Sequence, residues 1–178
     1  MAITCNLNKN LTKADFCGYS LRSVNAIYLA NFEDSGVKLT VAEDGYEVTA
    51  ATGTWYKVTP AKDTTSYNDD LVVGGNGAKY RTHTLSFSFN GTYDKNLAEI
   101  LDSLSLGKYI AVLDLSDGTA VALGRTVGLE ASAASSLSEA AADGNQGLQI
   151  TLEANVAESA LPVNATAMES IRTSANGD

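Results

Sequence analysis

Histidine is almost missing from this chain: His83 is the only one among 178 residues. That argues against a histidine-based metal site. With no Ser or Cys at a recognisable spacing from it, His83 does not read as part of a catalytic triad either. Cysteine is equally scarce. Cys5 and Cys17 could pair, but a cytosol would keep them reduced, so they read as two ordinary thiols. Prolines stand only at Pro60 and Pro162. There is no run of about 18 apolar residues, hence no expected membrane partner. Met1-Ala2-Ile3-Thr4 lacks the basic and apolar regions of a signal peptide, so the Asn-x-Ser/Thr matches at Asn10, Asn90 and Asn164 read as chance. Positive charge is also short, with 12 Lys and Arg against 21 Asp and Glu, a formal charge of -9 and a pI near 4.5. A sequence-reading nucleic-acid binder normally carries a basic face. An acidic surface suits DNA only as something to slide past without sticking.

What is abundant is strand pattern. The densest apolar run is Tyr109-Ile110-Ala111-Val112-Leu113-Asp114-Leu115, interrupted by Ser116-Asp117-Gly118 and resumed over 119–123. Asp-Gly between two apolar runs predicts a hairpin, because both central turn residues can take positive φ. With Leu129 to Ala133 and the alternating Leu148-Gln149-Ile150-Thr151-Leu152, residues 108–152 read as a β-meander. Residues 24–32 read as a strand buried on both faces, and shorter strands fit 37–42, 46–50 and 54–58. In the last of these, Trp55 and Tyr56 point to opposite faces, one to the core and one to a surface. Over 80–90, Arg81, His83, Leu85, Phe87 and Phe89 share one face. Leu97, Ile100, Leu101 and Leu104 make one helical stripe, expected to pack on Leu85, Phe87 and Phe89. Asp94 is a suitable N-cap and Gly107 a suitable stop. The pattern is mainly β with one flanking α-helix. A single domain covers 1–163, including an N-terminal arm, and 164–178 read as a flexible tail.

Residues 59–79 break the pattern. A structureless connection of that length is usually functional or disordered, and Leu71-Val72-Val73 in its middle suggests that it docks on something. Gly74-Gly75-Asn76-Gly77 lacks the Lys-Ser/Thr of a phosphate loop and reads as a loop tip. Asn68-Asp69-Asp70 lacks the spaced ligands of a calcium loop and reads as a solvated turn. The acidic residues scatter. No catalytic, cofactor or metal set emerges, and the chain does not read as an enzyme.

The residues Val24-Asn25-Ala26-Ile27-Tyr28-Leu29-Ala30-Asn31-Phe32-Glu33-Asp34, Leu106-Gly107-Lys108-Tyr109, Leu123-Gly124-Arg125, Gly128-Leu129-Glu130-Ala131-Ser132 and Gly147-Leu148-Gln149-Ile150-Thr151-Leu152-Glu153 carry a resemblance. Together they resemble small virion structural proteins of tailed phages and prophages of Bacteroides-like bacteria and, more loosely, the tail-tube fold. The resemblance spans about residues 3 to 163 and carries no catalytic residues. It implies a β-sandwich or half-barrel of tail-tube type with one flanking helix and a long loop. It further implies a ring or tube of identical copies around a DNA conduit, with neighbouring tail or neck proteins as further partners and DNA passing without sequence recognition. Its place would be the virion tail or neck, assembled in the bacterial cytoplasm. The expected subunit interface comprises Leu71, Val72 and Val73 with Tyr67 and Tyr56. The alternative is a β-sandwich binding module, an adhesin or carbohydrate binder, with Trp55, Tyr56 and Tyr67 as an aromatic platform.

Overall fold

A computed structural model of the chain describes residues 23–90, 94–138 and 146–175. The core is built from two apolar strands side by side. These are β1 (Val24–Asn31) and β7 (Lys108–Leu115), paired antiparallel with Leu29 opposite Ala111 and Asn31 opposite Tyr109. Both sequences are apolar at successive positions rather than alternate ones, and both strands are accordingly buried on both faces.

Around this pair one antiparallel sheet of nine strands is laid out. On the far side of β1 lies β4 (Tyr56–Val58). Beyond β7 come β8 (Ala120–Leu123) and β11 (Leu161–Pro162). The start of β7 also pairs with β9 (Leu129–Ser138) at Lys108–Glu130 and Tyr109–Leu129. From that junction β9 leads to β10 (Gln146–Val156), β6 (Lys79–Asn90) and finally β5 (Ser66–Val73). The alternating pattern of β6 and β10 turns Leu85, Phe87, Leu148, Ile150 and Leu152 toward Ile27, Leu29, Leu113 and Leu123 in one apolar cluster. The fold is thus mainly β, a sheet doubled over itself as a β-sandwich, and it is not a closed barrel.

The hairpin between β7 and β8 forms where expected, by a different turn. Leu115 N–H donates to Thr119 O and Gly118 N–H to Leu115 O, which leaves Ser116, Asp117 and Gly118 as the loop. Only Gly118 takes positive φ (82°), while the Asp117 carboxylate accepts from the Thr119 N–H and hydroxyl. This is a longer turn than the two-residue type, with glycine at its one left-handed position. Nor do the strands run as a simple meander, because the long partner of β7 is β1.

Helix α1 (Lys95–Leu106) begins at Asp94, whose carboxylate accepts from Leu97 N–H at 2.8 Å. Its stripe is narrower than expected: Leu97 and Leu104 are buried and Leu101 partly so, but Ile100 remains 50% exposed. Gly107 ends the helix without positive φ (−90°). A methyl there would overlap the Tyr109 hydroxyl, which itself donates to Ser103 O.

Two expectations are corrected. Residues 164–178 were expected as a tail, yet Ala165–Ala175 is a second helix, α2. Asn164 caps it through Ala167 N–H at 2.8 Å, and Ala167, Met168 and Ile171 are buried. Arg172 Nη2 reaches both carboxylate oxygens of Asp114 at 3.1 and 3.0 Å, tying α2 to β7. Together with the hairpin of β2 (Lys38–Val41) and β3 (Val48–Thr52), α2 covers the outer face of β1 and β7, over Tyr28, Ile110 and Val112. The second correction concerns 59–79. Residues 66–73 are a strand paired with β6 along its whole length, from Ser66–Ser86 to Val73–Lys79. Gly74–Gly77 is its tight turn, closed by Gly74 N–H to Ala78 O, with Gly77 at φ 81°. Cys5 and Cys17 lie outside the described residues.

Candidate self-assembly surface

The hairpin of β5 and β6 is longer than the sheet that supports it. Strand β10 pairs with β6 only as far as Val156–Arg81, so Lys79 and Tyr80, with their partners Val73 and Val72, extend past the third strand. The result is a short overhanging arm. Leu71 and Val73 are each 58% exposed and Tyr80 37%. Such a group of apolar side chains on an overhanging tip, beside an unpaired strand edge, is an association surface in physical terms.

The five interface candidates do not gather in one place. Val72 and Val73 are on the arm and Leu71 is at its base, opposite Arg81. Tyr67 is lower on the same strand and half-buried against the inner cluster. Tyr56 is on β4, at a different edge of the sheet, and is 51% exposed. Trp55, its neighbour, is only 1% exposed, with its indole N–H donating to Thr52 O. The expectation that one ring is inward and one outward holds, but an aromatic platform of Trp55, Tyr56 and Tyr67 is not assembled.

Tyr56 instead borders a groove of about 630 Å³ between β4 and α1, lined by Leu29, Tyr56, Val58, Ile100, Leu104 and Tyr109. Register explains its apolar floor: Tyr56 stands opposite Leu29 and Val58 opposite Ile27, so both share the inner face of β1. Lys57 also borders the groove, but it pairs with Tyr28 and so belongs to the opposite face of the strand. Among the described residues, β4 pairs only with β1 and β5 only with β6, so both end the described sheet.

The base of the arm holds polar residues on an otherwise apolar face. His83 is 1% exposed and its Nδ1 accepts from Gly124 N–H at 3.2 Å. The neutral ring therefore carries its proton on Nε2, which lies 3.4 Å from Asp69 Oδ1. Asp69 is no solvated turn residue. Its Oδ1 accepts from Arg81 Nε at 2.5 Å and its Oδ2 from Ala160 N–H at 2.9 Å. Burial works to raise the Asp69 carboxyl, but the hydrogen bonds from Arg81 and Ala160, with the charges of His83 and Arg81, outweigh it and hold the group below its usual range. Burial pushes the His83 imidazole below its ordinary value against the pull of Asp69 and Glu158. Glu158 in turn pairs with Arg125. These contacts fasten β5 to the turn after β8 and to the link between β10 and β11. Among the described residues no group of three or more His, Cys, Asp and Glu is placed to hold a metal.

The sequence reading missed this junction. Its one signal was visible: alternation put Arg81 and His83 on the same face as Leu85, Phe87 and Phe89, and charged groups on an apolar face need partners. The partner Asp69 could not be seen while 59–79 was read as a loop. No protein-family model matches the chain, and no curated protein matches it.

Proposed function

We infer that this protein is a structural subunit of a phage tail or neck that assembles with copies of itself into a ring or tube around a DNA conduit. The observation that carries the reading is the overhanging arm, with Leu71, Val73 and Tyr80 exposed at a strand edge that is unpaired among the described residues. Exposed edges and apolar tips favour association, and an oligomer that closes on itself removes its edges. The second free edge, at β4, lets each copy be joined at two different places, which a ring or tube requires and an isologous dimer does not. A formal charge of -9 supports a wall that lets DNA pass without binding it. The resemblance of the sequence to virion proteins supports the same setting, with other tail or neck proteins as further neighbours. Electron microscopy of the purified chain tests the reading. Rings or tubes with an open lumen are expected; a field of separate particles of single-chain size at high protein concentration would contradict it.

A further inference from the structure

We propose that the arm of one copy seats in the groove between α1 and β4 of the next, adding β5 to the free edge of β4. This rests on the assembly reading above and names the two surfaces that meet. Its first support is the distribution of exposed apolar groups. Of the eight large exposed apolar side chains among the described residues, five fall at these two places: Leu71, Val73 and Tyr80 at the arm, and Tyr56 and Ile100 at the groove; Tyr46, Leu106 and Val127 lie elsewhere. The two patches are on different parts of the molecule, so a copy cannot satisfy both with a two-fold contact of one patch against itself.

The second support is facial. Along β5, Asp69, Leu71 and Val73 share the face of the inner core, opposite His83, Arg81 and Lys79. Asp70 and Val72 share the other. On β4, Tyr56 and Val58 turn into the groove, whereas Lys57, which also borders it, stands opposite Tyr28 and so belongs to the other face of the strand. A strand added to β4 with Leu71 and Val73 turned into the groove necessarily turns Asp70 to the side of Lys57. The same placement brings Lys79, on the Val73 face, to the side of Glu99, which lines the groove. The reverse placement would turn Val72, with Tyr80 opposite it, to the groove, but it would also carry Asp70 onto the apolar floor and leave the more exposed Leu71 and Val73 in water. Apolar burial and charge complementarity thus select the same orientation. Strand β4 spans only Tyr56–Val58, so backbone pairing is short and the side chains carry much of the specificity.

Charge reversal tests this. Lys57 and Asp70 are both exposed, so Lys57→Glu and Asp70→Lys should leave the fold intact, checked by circular dichroism. Each single variant should raise the concentration for half-assembly by about tenfold or more, because it places like charges across the contact. The double variant, which restores opposite charges, should recover most of the loss. Ile100→Glu, in the groove alone, should weaken assembly as well. If the unaltered chain assembles and these variants assemble equally well, the arm seats elsewhere and this proposal is wrong while the assembly reading stands. Failure of the double variant to recover would overturn the facing of Asp70 and Lys57. A chain that never assembles would overturn both.

Discussion

His83 shows how one residue's environment decides its part. On sequence it was a lone histidine near a strand end; in the fold it is the buried acceptor for Gly124 N–H. His83→Phe keeps the ring volume but leaves that amide without its partner, and should cost about 1–3 kcal/mol. Urea unfolding checks it. A pH effect follows from the same burial. The folded imidazole titrates below the 6.5 of the free group. Between those two values the unfolded chain binds a proton that the folded chain does not, so stability falls as pH drops through that window and is fully present above it. His83→Gln, which can still accept from Gly124, should lose this slope in unfolding midpoints measured from about pH 7.5 to about pH 5. Asp69 acts lower on the scale: its depressed carboxyl contributes stability above the 3.8 of the free group, lost as pH falls through the folded value.

Among the elements, those whose apolar pattern matched a single period were legible. The alternation in β6 and β10, the continuous runs of β1 and β7, and the Asp94 cap of α1 all formed as read. Two elements were not legible, for different reasons. In α2 the apolar groups are few, but Asn164 was a cap signal and Ala167, Met168 and Ile171 have helical spacing; polar composition masked them. Ile171 is fully buried, so Ile171→Ala should cost about 2–5 kcal/mol in denaturant unfolding, whereas a flexible tail would show no loss. In β5 the alternation is Tyr67, Asp69, Leu71, with a half-buried aspartate where an apolar residue would signal a strand. Its pairing with β6 supplies what local pattern did not. Within α1, Leu104→Ala should also cost about 2–5 kcal/mol, while Ile100→Ala, at a half-exposed site, should stay within about 0.5 kcal/mol in the isolated subunit. As for the arm itself, alternate β5 amides bonded to β6 should resist hydrogen exchange in the isolated chain, and those on the free edge should become protected only on assembly. Equal protection of both sets in both states would count against an edge role.

At the scale of the whole molecule, the fold class was readable from strand pattern, while the division of labour between surfaces was not. The sequence reading placed Tyr56 in one expected interface with Tyr67, Leu71, Val72 and Val73. Topology separates them, with Tyr56 at the β4 edge and the others at β5, and no local pattern encodes which edge strands end a sheet. That separation is what turns a sticky surface into one with direction. The central claim is that the chain assembles with itself, and light scattering on a concentration series of the purified protein tests it most directly. The account predicts a mass that rises with concentration toward a large multiple of 18.6 kDa; a mass of 18.6 kDa held across the whole series would contradict it.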